Sequence, residues 1–242
     1  MTARGIPDWL ARWEYAHRGK HGAGVPENSL AAAQLAIDAG MGIECDIQRS
    51  ADNQPMVFHD WDVERLTDAK GTTDSFDSHE LRALCYYDSE QNPVTLGQLL
   101  ELINCRVPLL VEIKSKPGYD VARSCRIVAS ALEGYAGPFA VMSFDPRVAR
   151  WFRNNAPKIC VGLVMREDEY GNTQKGWQRR LALWMAKPDF LAYHIAALPS
   201  EWVAKLRRGG LPILTWTVNL PEARVRALAH TDALISERAG LA

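Results

Sequence analysis

Two histidines and two fixed cations lie close together near the start of the chain, in the segment EYAHRGKHGAGVPENSL at residues 14–30. His17 and Arg18 follow a short apolar run, at what we predict is the end of a strand. An imidazole titrates near neutral pH, so His17 is suited to general acid or base catalysis. A guanidinium matches the oxygens of a phosphate group. This strand end therefore predicts acid–base chemistry on an anionic substrate.

Carboxylates alternate with apolar residues in the segment IECDI. Because side chains on a strand alternate between its two faces, Glu44 and Asp46 point to one side and the apolar residues to the other. The segment LLVEIK repeats this pattern, with Glu112 and Lys114 on a shared side. Buried like charges are costly unless they pair with cations or bind a metal. Two interpretations therefore stay open: a metal site, and a structural lattice of ion pairs with Arg18 and Lys114.

The metal interpretation predicts a particular class of ion. The three carboxylates, with no cysteine among them, form a hard oxygen site that favours Mg²⁺ or Ca²⁺ over Zn²⁺. A cation between anionic side chains and an anionic ligand also keeps the two from repelling each other. The expected cofactor is therefore a divalent metal ion, Mg²⁺ or Ca²⁺.

A further candidate histidine, His59, lies near the end of the segment IECDIQRSADNQPMVFHD. Its two extended runs are separated by a polar turn that is too short for a parallel crossover. We therefore predict a hairpin that turns near Asp52 and Asn53. Pairing about that turn sets Asp46 opposite His59 or Asp60. The hairpin is thus expected to return His59 to the carboxylates of the second strand.

These candidates must be positioned by a scaffold, and the chain alternates strand-like and helical patterns throughout. Eight short apolar runs read as strands: 15–17, 42–47, 109–113, 139–144, 159–165, 190–194, 213–218 and 233–236. This alternation predicts an α/β fold, a (β/α)8 TIM barrel with a small hairpin insertion after the second strand. A doubly wound open sheet is the competitor, but no GxGxxG follows the first strand. We expect one domain over residues 1–242, with its core from about residue 12.

Composition limits the classes of partner and compartment. The formal net charge of −1 gives no indication of a nucleic-acid partner or of a membrane-seeking surface. No segment approaches the ~20 apolar residues of a membrane span, so we expect no stable membrane insertion. The five cysteines are odd in number and form no CxxC, which is typical of reduced thiols. With no signal-peptide pattern at the N-terminus, we expect a cytoplasmic protein.

The ordered set AHRG, PENS, ECDI, PMVFHD, VEIK and TWTVN resembles the glycerophosphodiester phosphodiesterase family over most of the chain. The resemblance implies a TIM barrel with a divalent metal that splits glycerophosphodiesters into glycerol 3-phosphate and an alcohol. It also implies a site of eight residues: the acid–base pair His17 and His59, the phosphate contacts Arg18 and Lys114, the glycerol contact Trp216, and the metal ligands Glu44, Asp46 and Glu112.

The chain departs from the family pattern at its last strand. The family commonly has a Thr-Asp pair there, and this sequence has Ser236 and Glu237 in ALISERAG. His194, in AYHIAAL, matches no family motif, and we expect it to pack rather than to line the site.

Two further functions stay open beside the phosphodiesterase. One is a related barrel enzyme acting on lipid headgroups, similar to phospholipase D or sphingomyelinase D. The tryptophans at 151, 177, 184 and 202 would suit lipid contact, but helix packing or surface placement explains them equally well. The other is a non-catalytic barrel that binds a phosphate metabolite, for which paired acid–base groups are unnecessary. If the protein is the phosphodiesterase, the expected partner is a small-molecule glycerophosphodiester substrate.

No pattern in the sequence specifies an oligomer.

Overall fold

Eight parallel strands close into a barrel in the computed structural model, which describes residues 6–241. The first strand pairs with both the second and the last barrel strand, and this closes the sheet. The (β/α)8 TIM barrel is therefore confirmed. The barrel strands are β1 (Tyr15–His17), β2 (Gly42–Arg49), β5 (Leu109–Ile113), β6 (Phe139–Ser143), β7 (Cys160–Met165), β8 (Phe190–His194), β9 (Ile213–Val218) and β10 (Ala233–Ser236).

Helices connect the strands on the outside of the barrel. The described residues form α1 (Leu30–Asp38), α2 (Ser78–Ala83), α3 (Leu96–Ile103), α4 (Val121–Ala131), α5 (Pro146–Asn155), α6 (Gly176–Ala186), α7 (Glu201–Arg208) and α8 (Pro221–His230). Their starts follow the expected capping chemistry. The side chains of Ser29, Thr95 and Ser200 each accept a hydrogen bond from a backbone N–H in the first helical turn. Pro146 and Pro221 occupy first helical positions, where no N–H is needed.

Two apolar layers separate the inside of the barrel from the helical side. Ile43, Cys45 and Ile47 belong to the cluster between strands and helices. Glu44 and Asp46 therefore point into the barrel, as the alternation predicts. A second cluster fills the barrel interior below them, and it includes Leu10, from a short 3-10 helix before β1. The packed core thus includes a residue before the expected start at residue 12.

The predicted hairpin exists, but its register differs from the prediction. β3 (Pro55–Val57) pairs antiparallel with β2, and a loop closed by the Ser50 N–H and the Gln54 carbonyl joins them. Because this loop is centred on Asp52, Asp46 lies opposite Phe58, whose N–H donates to the Asp46 carbonyl at 3.0 Å. The expectation that Asp46 faces His59 or Asp60 is wrong by one or two positions.

The insertion after β2 is also more than a hairpin. β4 (Val94–Thr95) pairs with β3, and α2 lies between the two strands along the chain. The insertion has a small apolar core of its own, which includes Met56, Phe58 and Leu81. This core positions the residues that follow β3, among them His59.

Gly162, on β7, permits close packing inside the barrel. A Cβ at this position would lie in the ring of Phe190, which belongs to the interior cluster. We expect Gly162→Ala to lower the free energy of unfolding by about 1–3 kcal/mol, because the ring has to move within a packed core. Gly97→Ala on α3 is the control, since its Cβ meets only ordinary contacts and alanine favours a helix. Denaturant unfolding measures the free energy of unfolding of the parent protein and of both variants. A Gly162→Ala variant as stable as the parent protein would contradict the prediction.

Candidate active site

A cavity of about 780 Å³ opens at the carboxyl ends of the barrel strands. This is the end of a TIM barrel at which active sites are found. All eight residues that the sequence predicts for the site line this one cavity: His17, Arg18, Glu44, Asp46, His59, Glu112, Lys114 and Trp216. The fold thus brings together side chains that are up to two hundred positions apart in the chain.

Three buried carboxylates form the floor of the cavity. Glu44 and Asp46 lie on β2, and the parallel register places Glu112 of β5 beside Asp46. One carboxylate oxygen from each residue lies within 4.8 Å of the others. Each side chain is almost fully buried, so water screens their mutual repulsion poorly.

Lysine and arginine compensate part of this negative charge. The Lys114 Nζ lies 2.9 Å from Asp46 and 2.8 Å from Glu112. The Arg18 Nε lies 3.2 Å from Asp46. Burial would raise the pKa of Asp46, but Lys114, His59 and Arg18 outweigh it and hold this pKa below its usual range. The ion-pair lattice considered from the sequence is therefore present at these two acids.

Glu44 is the exception within this lattice. Its carboxylate accepts the backbone N–H of Arg18 at 3.1 Å, and the nearest ionisable nitrogen in the described part of the chain is the His17 Nε2 at 4.0 Å. Burial, followed by repulsion from Asp46 and Glu112, raises the pKa of Glu44 well above its usual value. A buried carboxylate in this position needs a compensating positive charge.

The donor set fits a divalent metal ion. Three carboxylates that converge without a sulfur ligand provide the oxygen coordination that Mg²⁺ and Ca²⁺ prefer. The undercompensated charge of Glu44 lies where such an ion would be held. The residues present are therefore suited to a divalent cation.

Both predicted histidines are held through their Nδ1 atoms by a carboxylate. The His17 Nδ1 lies 2.7 Å from Glu237, and the His59 Nδ1 lies 2.6 Å from Asp60. Within the residues that the structure describes, the Nε2 of each ring has no hydrogen-bonded carboxylate, and the His17 Nε2 is turned towards Glu44. Burial lowers the pKa of His17, and the hydrogen bond that its Nδ1–H donates to Glu237 only partly offsets this effect. The arrangement gives two imidazoles oriented for proton transfer in one cavity.

Glu237 has a contact that the sequence left undefined. At the departure from the family's Thr-Asp pair, its carboxylate contacts His17 and also lies 3.4 Å from the His21 Nε2. His17 and His21 together hold the pKa of Glu237 well below its usual range, against the effect of burial. The longer acid therefore connects the first loop to the closing strand, and it orients the His17 ring.

We expect Glu237→Gln to lower kcat by about one to two orders of magnitude, because a neutral amide replaces the charged acceptor that orients His17 and stabilises its protonated form. Glu237 raises the pKa of His17, so its loss lowers that pKa further. The limb of the pH–rate profile that reports His17 therefore moves to lower pH. Glu222→Gln, on α8, is the matched control. A variant profile that overlays the parent profile would contradict this role.

Trp216 is held rigidly at the opposite side of the cavity. Its indole N–H donates to the Ala192 carbonyl at 3.0 Å, and Phe144 packs edge-on with ring centroids 5.3 Å apart. His194 lies against the same indole, at 4.8 Å, but it is not among the described residues that line the cavity. These contacts agree with the expectation that His194 packs, and its role stays a prediction.

Other residues that support the site gave weak or no signals in the sequence. The Asn28 side chain donates to the Asp46 carboxylate at 3.0 Å and accepts from the Asp46 backbone N–H. Arg65 binds both Glu27 and Asp60, and so connects the insertion to the first loop. No motif or spacing marks Arg65, because Glu27 lies 38 positions away in the chain and Asp60, five positions away, forms no recognisable pattern with it.

Comparisons with known proteins agree with this geometry. The sequence profile of the glycerophosphoryl diester phosphodiesterase family matches residues 17–241. The chain belongs to this family. Members are phosphoric diester hydrolases, and the chain is an enzyme of that class.

Relatives of the family cover nearly the whole chain. A glycerophosphodiester phosphodiesterase of Caldanaerobacter subterraneus is 28% identical in an alignment 234 positions long that covers 92% of each protein. An Oleispira antarctica phosphodiesterase, solved in complex with the product sn-glycerol-3-phosphate, superposes with a TM-score of 0.81 at 24% identity. That match covers 93% of this chain and 92% of the other. A glycerophosphodiester phosphodiesterase of Thermotoga maritima superposes with a TM-score of 0.74 at 24% sequence identity, and the match covers 92% of each chain. At these identities, the structural likeness establishes the fold.

The helices formed by residues 6–241 include none that combines the length and the apolar character needed to cross a bilayer.

Proposed function

We propose that this protein hydrolyses glycerophosphodiesters to glycerol 3-phosphate and an alcohol, with a divalent metal and two histidines. The observation that carries the proposal is the convergence of two carboxylate-held imidazoles and three buried acids in one cavity. The Caldanaerobacter relative is named for this activity, and the Oleispira structure holds its product. We also propose that the chain forms one domain, and that it functions in the cytoplasm, as its cysteine content suggests.

Each predicted residue has a role in this proposal. Glu44, Asp46 and Glu112 would hold the metal, Mg²⁺ or Ca²⁺, which would supply positive charge to stabilise the phosphoryl oxygens. The Arg18 side chain adds a fixed cation beside the same site and binds the phosphate. Lys114 adds the second cation, and Trp216 packs against the glycerol.

The two histidines exchange protons in two steps. One imidazole removes the proton from the glycerol hydroxyl next to the phosphate, and that oxygen attacks phosphorus. The bond from phosphorus to the alcohol oxygen breaks, and the other imidazole protonates this leaving alcohol. Water then opens the cyclic phosphate with the two histidines in reversed roles. The sum is the consumption of one water, and both imidazoles return to their first protonation states.

A direct assay tests the function. The protein is incubated with glycerophosphocholine, glycerophosphoethanolamine, glycerophosphoglycerol and a lysolipid, with and without EDTA. Glycerol 3-phosphate and cyclic phosphate are then measured. We expect glycerol 3-phosphate from at least one water-soluble diester, and loss of turnover in EDTA that added Mg²⁺ or Ca²⁺ restores.

The other results separate the alternatives. Turnover of the lysolipid alone would favour the lipid-headgroup enzyme. No product from any substrate, with Mg²⁺, Ca²⁺ or Mn²⁺ present, would overturn both enzymatic functions and leave a binding barrel. Turnover that persists unchanged in EDTA would contradict the role of the metal.

A further inference from the structure

Helix α6 carries an apolar stripe that nothing in the described structure covers. Trp177, Leu181 and Trp184 are 62%, 46% and 67% exposed. Their spacing of four and three residues places them on one side of the helix, over about 10 Å of its axis. Trp151 and Trp202, by contrast, pack against the barrel core. Core packing therefore explains those two tryptophans and leaves Trp177 and Trp184 unexplained.

The surroundings of this stripe are strongly basic. Helix α5 packs beside α6. Neither residues 146–160 nor residues 174–187 include a carboxylate, although the whole chain has a net charge of −1. The two segments hold eight cations: Arg147, Arg150, Arg153, Lys158, Lys175, Arg179, Arg180 and Lys187. We call the exposed side of these two segments the α5–α6 face.

Most of this positive charge has no counter-charge nearby. Asp145, Asp189 and Glu167 pair with three of the cations. The other five are exposed and form no ion pair with a residue in the described range 6–241: Arg150, Lys158, Lys175, Arg180 and Lys187. Arg180 follows Trp177 by three positions, and Lys187 follows Trp184 by three. Both cations therefore flank the apolar stripe.

The α5–α6 face adjoins the mouth of the cavity. Arg166, Tyr170 and Asn172, in the loop between β7 and α6, line the cavity. The same loop leads directly into α6, and Tyr170 is 77% exposed. An external surface to which α6 binds would therefore lie beside the entrance to the active site.

We propose that the α5–α6 face binds the protein peripherally to membranes that contain anionic phospholipids. Tryptophan and leucine side chains insert at the level of the lipid headgroups, and flanking cations are attracted to an anionic surface. Charge complementarity thus selects the occupant of the apolar stripe. The interaction is reversible and leaves the barrel outside the bilayer.

A second copy of the chain fits this face poorly. A two-fold dimer brings the same surface of each copy together, so the unpaired cations of one copy would meet those of the other. Like charges placed opposite each other across an interface are unfavourable. Three exposed side chains also provide much less than the ~800 Å² per partner of a stable interface. An anionic lipid surface has neither disadvantage.

A position at a membrane surface suits the proposed substrate. This step rests on the proposed function. A glycerophosphodiester is a glycerophospholipid that has lost both acyl chains. The reaction class that supplies it is therefore deacylation of lipids, which takes place at a membrane. Binding at such a surface would place the cavity near newly released substrate.

Vesicle co-sedimentation without substrate tests the binding. The full chain is mixed with vesicles of phosphatidylcholine alone, or with vesicles that also contain phosphatidylglycerol, at low and high salt. We expect binding only to the mixed vesicles and release at high salt. Trp177→Ala with Trp184→Ala should weaken binding at least about tenfold, since it removes the inserted side chains. Arg180→Glu with Lys187→Glu should weaken it more than about tenfold, because each cation contributes roughly fivefold.

The control and the remaining readouts keep the two proposals apart. Val225→Ala with Leu228→Ala removes apolar side chains that are 71% and 61% exposed on α8, and should leave binding unchanged. Turnover of water-soluble diesters should be the same in all of these variants, because none of the substituted residues lines the cavity. Binding without any turnover would overturn the proposed function alone.

Three results would overturn the membrane proposal: no binding by the parent protein to mixed vesicles, equal binding by the tryptophan variant, and a dimer in solution that the tryptophan variant dissociates.

Discussion

His17→Ala is expected to lower turnover of a glycerophosphodiester by about two to four orders of magnitude while the protein stays folded. The imidazole lies at the cavity between Glu237 and Glu44, and the alanine can neither accept nor donate the transferred proton. The side chain lies at the rim of the interior core rather than within it, so the barrel strands keep their packing. Steady-state kinetics and a cooperative unfolding transition together measure the two effects.

The chain offers a matched control for this substitution. His194 also lies at the end of a barrel strand, but it packs against Trp216 and is not among the described residues that line the cavity. His194→Ala should therefore retain most of the turnover. The variant with both His17→Ala and His59→Ala should lose little more than either single variant, because the two imidazoles act in one proton-transfer cycle. High residual turnover in His17→Ala would assign the acid–base role to another residue.

The barrel strands could be predicted well because of where they lie. A parallel strand is covered on both faces, so it reads as a short, nearly continuous apolar run. Leu109–Ile113 and Phe190–His194 have the predicted bounds for this reason. The acids of β2 interrupt such a run, and an inward-facing charge in a barrel is itself a signal of function. The same patterns thus predicted both the fold and the convergence of the three acids that could hold a metal.

The insertion was harder to predict because its structure depends on distant contacts. Its strands and helix are short, and they are stabilised by a small core rather than by a strong periodic pattern. Arg65 is informative only through ion pairs with Glu27 and Asp60, whose combination no local spacing encodes. The contact of Glu237 with His17 joins residues 220 positions apart. Such contacts are defined by barrel closure, which the sequence pattern predicts only in outline.

Surface charge shows a related limit of sequence analysis. A net charge near zero gave no indication of a membrane-seeking face, because the acids and cations of the chain cancel in the total. The fold separates them, since α5 and α6 are neighbours in space and neither contains a carboxylate. Local charge therefore has to be read on the folded surface.

Glu44→Gln should separate the metal site from a purely structural lattice, since the two interpretations predict opposite effects. As a metal ligand, Glu44 contributes one of three anionic oxygens, and its amide replacement should raise the metal concentration for half-maximal activity at least about tenfold. Added Mg²⁺ or Ca²⁺ should raise the Tm of the parent protein, because a ligand bound only to the folded state stabilises it. The variant should show a much smaller rise.

The same substitution in EDTA gives the decisive comparison. Glu44 is buried beside Asp46 and Glu112, and no cationic side chain among residues 6–241 donates a hydrogen bond to its carboxylate. Removing its charge relieves repulsion, so the metal-free variant should be at least as stable as the metal-free parent protein. If Glu44 were instead a partner in a structural lattice, the variant would be destabilised, as expected when a buried pair is broken. Glu101→Gln, an exposed change on α3, should alter neither the metal titration nor the stability. An unchanged metal titration together with lower stability would exclude Glu44 from the metal site.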